Sequence, residues 1–246
     1  MKGALIAVQF LTRLPTPRLT VTDADFAAAM RWFPVAGLVV GAVAAGAGWL
    51  GGRVDGWVGA LAALVGWVGI TGALHLDGLG DMADAGGAVH KLHGASPEER
   101  RARLVAIMAD PHVGSFGVVA VGLQLVAKLV LLHALGERQL WAALPAVALA
   151  ARIGPLVWTR WLAPLHAGLA SRFAAAVGVG HVAAWGAVGL GLAWWWPGLL
   201  AAPVLIGGWW WWLRCRLGGI SGDGHGAGIE LVESGLMLAV LIAHRL

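Results

Sequence analysis

The sequence predicts an all-α, polytopic membrane protein with about seven transmembrane helices, a single integral domain over residues 1–246 and a cytoplasmic-side active site. Three observations predict it. First, 59% of the 246 residues are hydrophobic and only 12% charged, with a mean hydropathy of +0.77. A soluble domain carries about twice that charge fraction. Second, Gly (38) and Trp (15) are abundant, and both are favoured in membrane helices and at their ends. Third, the apolar residues gather into long runs separated by short polar stretches. The lone Cys215 excludes an internal disulfide and a cysteine metal cluster. A net charge of +4 does not point to nucleic acid here. In a membrane protein basic residues set orientation, and the partner they imply is the lipid bilayer.

The elements follow in order. Lys2 to Leu14 reads as a short interfacial or partly buried helix, broken by Pro15 and Pro17. Its apolar part is too short, and lacks the small-residue cleavage site, for a signal peptide. Thr22 caps a helix with Asp23 and Asp25 in its first turn. The first spanning run is about Phe33 to Leu50, with Gly37 and Gly41 spaced for close helix packing. The second is about Trp57 to Leu74. Residues 75–112 form a polar segment holding HLDGLGDMAD (His75 to Asp84), then a helix start in which Ser96 caps and Glu99 answers it. The third run is about Phe116 to Leu135, interrupted by Gln124 and Lys128. The fourth is about Leu140 to Leu162 and contains Arg152. The fifth and sixth, about Val182 to Trp196 and Leu199 to Leu213, meet at Pro197, either as two crossings or as a helical hairpin of unequal depth. The last is about Ile229 to Leu246.

Charge gives the topology. Seven crossings put eleven basic residues on the side of the N-terminus and the polar motifs, including Lys91, Arg100, Arg101, Arg103 and Arg172, against Arg53, Arg138 and Arg245 opposite. The basic side is expected to be cytoplasmic, with the C-terminus outside. The chain is thus expected as a multi-pass protein of a cell membrane, its N-terminus and motif loops cytoplasmic.

Two acidic clusters carry the chemistry. Asp77, Asp81 and Asp84 are spaced four and three apart, so on a helix they share one face. Three neighbouring carboxylates need cations, and a divalent metal facing phosphate is the natural candidate. The second cluster is GGISGDGHGAGIELVE (Gly218 to Glu233). Its glycine-rich loop, with Gly222 beside Asp223, can cradle phosphate as a nest of N–H groups. Glu230 and Glu233 fall on one face of the first turn of the last crossing, where acids are functional by default. Asp110 and His112 form a weaker pair. Lys128 and Arg152 are intramembrane cations that either neutralise acids or bind phosphate, and which acid each meets is not legible. His75, His90 and His93 read as polar-loop residues, their spacing matching no familiar zinc set.

HLDGLGDMADA, LVAIMADPHVGSFG (Leu104 to Gly117) and GGISGDGHGAGIELVE together resemble the cobalamin synthase family, the adenosylcobinamide-GDP ribazoletransferases. FLTRLPTP (Phe10 to Pro17) and WFPVAGLVVG (Trp32 to Gly41) are similar to its N-terminal region, so the likeness covers nearly the whole chain. The family pattern differs at Ala106, Ala109, Pro111 and His112, and has threonine for Ser221. The resemblance implies a Mg2+-dependent membrane transferase. Its substrates would be adenosylcobinamide-GDP and α-ribazole or α-ribazole 5'-phosphate. The products would be GMP and adenosylcobalamin or its 5'-phosphate.

In that light Asp77, Asp81 and Asp84 are expected to hold the metal. Asp84, slightly ahead of Asp223, is the candidate base for a ribose hydroxyl. Arg100 and Arg103 would steer the anionic substrate, and Asp110, Lys128, Arg152, Gly222, Glu230 and Glu233 complete the expected binding residues. Two rivals stand beside this reading. One is a CDP-alcohol phosphotransferase, whose pattern carries alanine-arginine where this chain has Gly80 and Asp81. The other is an ion-coupled transporter, which predicts an inverted repeat that the acidic motifs do not form. Oligomeric state is left open, a homo-oligomer included.

Overall fold

The structure, a computed structural model, describes residues 2–89, 96–108, 110, 112–165, 173 and 176–245, with the backbone alone for residues 88, 89, 97, 98, 100 and 101. Its helices are α1 (Lys2–Leu11), α2 (Asp23–Ala29), α3 (Phe33–Gly51), α4 (Gly56–Thr71), α5 (Leu74–Val89) and α6 (Pro97–Met108), then α7 (Ser115–Glu137), α8 (Leu144–Ala151), α9 (Gly154–Trp161), α10 (Val179–Leu192), α11 (Ala202–Arg216) and α12 (Gly222–Ala243). Short 3-10 turns lead into α3, α8 and α11. The described residues are all-α, with one isolated bridge among them, between Pro164 and Ile220.

The caps follow the sequence. The Asp25 N–H donates to Thr22 Oγ1 and the Thr22 N–H to Asp25 Oδ2, both at 3.1 Å. Ser96 and Glu99 form the same reciprocal pair at the start of α6, at 2.7 and 3.2 Å. Each arrangement satisfies helix N–H groups that have no intrahelical acceptor.

Four stretches among the described residues are long and apolar enough to cross a bilayer: Asp23–Gly51, Ser115–Glu137, Trp141–Trp161 and Gly222–Ala243. A fifth exists if the bent pair Gly56–Thr71 and Leu74–Gly87 counts as one span. Of the seven crossings expected, four or five are thus long and apolar enough among the described residues. The fifth apolar run is the 14-residue α10, which reaches only ~21 Å at ~1.5 Å per residue, short of a ~30 Å hydrocarbon layer. The sixth is divided between the Pro197–Ala201 turn and α11. The second run also ends early. Gly72 (φ 61°) and Ala73 (φ 60°) are left-handed, and the chain turns through 85° into α5. Hence the aspartates lie on a separate helix and not on an extension of the crossing.

The outer surface is apolar. Leu61 and Val65 on α4, and Leu123, Val126 and Val130 on α7, are each more than half exposed. A stripe of that kind is what lipid covers. Inside, small residues bring helices together. A Cβ on Gly37 would strike the backbone of Ala148, and one on Gly41 would strike that of Leu144 and Pro145, so α3 lies directly against α8. The GxxxG spacing thus serves close packing. Gly41→Leu is expected to overpack this contact by about 1–3 kcal/mol. The thermal midpoint in detergent checks it, with Gly46→Ala, which faces open space, as an unchanged control.

Candidate active site

The site forms where α5 meets the starts of α7 and α12. Leu76, Leu79, Met82 and Ala85 bury one side of α5. The other side carries Asp77, which is exposed, and Asp81 and Asp84, which are half-buried. Gly78 decides what these acids face. A Cβ there would lie 2.9 Å from Cα and O of Asp223, so only glycine lets α5 touch the first turn of α12. Asp81 consequently stands within electrostatic reach of Asp223, Asp77 and Asp84.

The second acidic cluster differs from its expected form. Residues 222–228 are not a loop but the first two turns of α12, capped by Ser221, whose Oγ accepts from the Gly224 N–H at 3.0 Å. The glycines serve packing. Gly226 makes room for the His75 backbone, and Gly228 for the rings of Trp158 and Trp209. A phosphate nest over the whole glycine stretch is therefore replaced by a helix N-terminus, with Gly222 exposed on it and Asp223 half-buried beside it.

Asp84 is strongly engaged. Its Oδ2 accepts from the Gly114 N–H at 2.7 Å and its Oδ1 from the Gly117 N–H at 2.9 Å. Gly114 is the N-cap of α7 and has no side chain to offer, so Asp84 caps α7 from α5.

Glu230 and Glu233 are not on the first turn of their helix. They lie ~12 and ~16 Å along α12, at ~1.5 Å per residue. There they form a buried ionic network with Lys128 and Arg152. Lys128 Nζ donates to Glu230 Oε2 and to Glu233 Oε2, both at 2.7 Å, and Arg152 Nη1 donates to Glu233 Oε1 at 2.7 Å. Gln124 Nε2 donates to Glu230 Oε2 at 2.9 Å and to Ser234 Oγ at 2.9 Å. Lys128 also lies 4.9 Å from the Trp67 ring centroid. All four charged groups are at most 3% exposed.

The remaining residues sit apart. Asp110 is exposed and takes the His112 N–H at 3.0 Å and its ring at 2.7 Å, which hold its carboxyl below the usual carboxylate range. Arg103 is exposed on α6. The Arg100 side chain, together with His90, Lys91, His93 and Arg172, lies outside the described residues. His75 is no loop residue. It is 2% exposed in the first turn of α5. Sequence reading also passed over Gln124, whose only signal was a polar residue inside an apolar run.

An open cavity of about 580 Å³ borders Asp77, Gly80 and Asp81 between α4, α5 and α7. Among the described residues no three His, Cys, Asp or Glu side chains converge closely enough to cage a metal.

The comparisons with known proteins agree with one another. The family model described as cobalamin-5-phosphate synthase matches residues 3–241. This chain belongs to that family. Three relatives are named adenosylcobinamide-GDP ribazoletransferase. The one from Novosphingobium aromaticivorans is 58% identical, over 98% of this chain and 97% of its own. Those from Thiobacillus denitrificans and Laribacter hongkongensis are 49% and 50% identical, over 97% and 100% of this chain and 94% and 99% of their own. No solved structure matches. In a cobalamin-5-phosphate synthase family member, the junction of α5 with α12 brings together two of the motifs that carry the likeness, HLDGLGDMADA and GGISGDGHGAGIELVE. The third, LVAIMADPHVGSFG, supplies the α7 start that Asp84 caps.

Proposed function

We propose that this chain transfers the adenosylcobinamide phosphate of adenosylcobinamide-GDP to a ribose hydroxyl of α-ribazole or its 5'-phosphate, with release of GMP. The observation that carries the reading is the contact at Gly78, which gathers four carboxylates at the start of α12. Such a group repels itself and is stable only with cations or cation-bound phosphate between its members.

Magnesium fits this donor set. The ligands are all oxygen, and Mg2+ keeps several waters and binds through one or two carboxylates plus substrate phosphates. It needs no closed protein cage. Asp77 and Asp81 would hold it, with Asp84 contributing a lone pair that its two N–H bonds leave over. Bound there, the ion supplies charge neutralisation of the pyrophosphate and of the departing phosphate.

The chain's own groups do the rest. Asp223 is our candidate base. Asp84 is held in place by the two α7 N–H groups it accepts, so it is better suited to position α7 against α5. Asp223 takes the proton of the attacking hydroxyl as the new P–O bond forms and the pyrophosphate P–O bond breaks. The exposed N-terminus of α12 at Gly222 faces the anionic substrate favourably. Arg103 and Arg100 on α6 steer it in. Lys128, Arg152, Glu230 and Glu233 act at a distance, fixing the register of α12 so that Asp223 meets α5. Asp110, paired locally with His112, orders the turn before α7.

The open cavity suits a bulky corrinoid donor. The orientation follows the eleven-to-three bias of basic residues, with the motifs cytoplasmic. α10, lengthened by the hydrogen-bonded turns that follow it to Trp196, and the helical stretch from Pro197 to Arg216 would then complete seven passes.

Purified protein in detergent, given adenosylcobinamide-GDP, ribazole and Mg2+, is expected to release GMP, and chelation is expected to stop it. Binding or uptake of ribazole with no GMP formed would sink the reading.

A further inference from the structure

Beside the open cavity, and sharing Asp77 with it, lies a second one of about 130 Å³ between α1, α3 and the starts of α5 and α12. Its walls include Phe10, Phe33 and Phe173, and it reaches Asp77 and Asp223. With Phe26 these rings form one cluster, centroids 5.1–6.3 Å apart in stacked, tilted and edge-to-face pairs. Four of the chain's five phenylalanines are thus gathered beside the carboxylates. Phe10 and Phe33 come from FLTRLPTP and WFPVAGLVVG, the two motifs for which the chemistry above has no use.

Two buried histidines line the same cavity. His75 is 2% exposed, and neither of its ring nitrogens has a partner among the described residues. His225 is 7% exposed. Its Nε2 lies 3.2 Å from Thr159 Oγ1, while its Nδ1 is unpartnered among the described residues. Leaving such groups unsatisfied is costly, so a pocket that buries them is built for a ligand with hydrogen-bonding atoms. Aromatic walls add the preference for a flat ring, since ring pairs contribute beyond their buried area. An apolar cavity of ~150 Å³ takes up benzene, so this volume is on the scale of a small ring system.

We infer that the phenylalanine-lined cavity is the acceptor subsite, holding the aromatic base of the ribazole-type nucleoside with His75 as its hydrogen-bond partner. This rests on the proposed transferase reading and extends it. The base packs between the rings, its ribose reaches Asp77 and Asp223, and the donor occupies the open cavity. Asp77 borders both cavities, so the two substrates meet there.

The test uses the full-length protein in detergent, with benzimidazole as a probe of the base alone. Benzimidazole is expected to inhibit GMP release competitively against ribazole and not against adenosylcobinamide-GDP. Phe10→Ala and His75→Ala are expected to raise the ribazole KM about tenfold, the scale of one lost hydrogen bond or ring contact, with the donor KM within about twofold. His75→Gln should restore most of the loss. Equilibrium binding of benzimidazole without donor, followed by calorimetry, should weaken in parallel. Competition against the donor, or benzimidazole binding unchanged in both variants, would overturn the assignment. The wild-type competition and binding need no variant to fold. If the wild type releases no GMP with any acceptor while benzimidazole still binds through His75, the transferase reading fails and the subsite stands.

Discussion

Asp81→Asn is expected to lower GMP release by about 10²–10³-fold, the scale on which one group stabilising transition-state charge acts. Asp81 is the member of the acidic group whose electrostatic neighbours are Asp223, Asp77 and Asp84. Removing its charge reduces the self-repulsion of the apo protein, so the thermal midpoint should hold or rise while turnover falls. That opposition between stability and activity marks a functional carboxylate, since a purely structural one would lose both. Added Mg2+ should raise the midpoint of the wild type and raise that of Asp81→Asn less. Asp84→Asn provides the contrast. Asparagine keeps one acceptor oxygen of the two, so one of the N–H groups of Gly114 and Gly117 loses its partner and α7 is loosened by about 1 kcal/mol without losing its start. If Asp84 were the base, this variant would be as inactive as Asp223→Asn. The structure leads us to expect Asp223→Asn to be the more damaging of the two.

Glu233→Gln is expected to destabilise the fold by about 3–5 kcal/mol, because it strips the shared counter-charge from two buried cations. Lys128 and Arg152 meet at Glu233, at 2.7 Å each, and neither cation can reach water. Lys128→Met should be comparably harmful through the unpaired Glu230. The double variant Lys128→Met, Glu230→Gln should be less destabilised than the sum of its single changes, as expected for coupled neighbours. Thermal unfolding in detergent reads all four proteins. The opposite pattern, full stability with a raised KM for adenosylcobinamide-GDP, would return these residues to the substrate contacts that their place in the sequence suggested.

The difference between those outcomes shows where sequence reading reached its limit. That Lys128, Arg152, Glu230 and Glu233 matter is visible in one dimension, because charge inside an apolar run is costly and is not kept without a partner. Who pairs with whom depends on the rotation of α7, α8 and α12 about their axes. Nothing local in an apolar helix sets that rotation. The glycines of α12 misled for a related reason. Gly at every second position from Gly222 to Gly228 reads as a loop, since glycine weakens an isolated helix. Here the helix forms because neighbouring helices press against it at His75, Trp158 and Trp209, and only glycine leaves them room. Likewise, the apolar run from Trp57 to Leu74 gives no warning of the 85° turn at Gly72 and Ala73.

By itself the sequence determined the all-α membrane character, the helix caps at Thr22 and Ser96, the shared face of Asp77, Asp81 and Asp84, and the family. Composition, side-chain chemistry and helical spacing are local properties, and the first three follow from them, whereas the family follows from the likeness of whole motifs. Only the tertiary structure decided that Asp223 meets those aspartates, that Asp84 caps α7, and that Phe10, Phe33 and Phe173 wall a cavity with His75. Each of these joins residues far apart in the chain, and each depends on how closely one helix can approach another. At Gly78 that approach is set by a missing side chain, whose consequence appears only once its neighbour is in place.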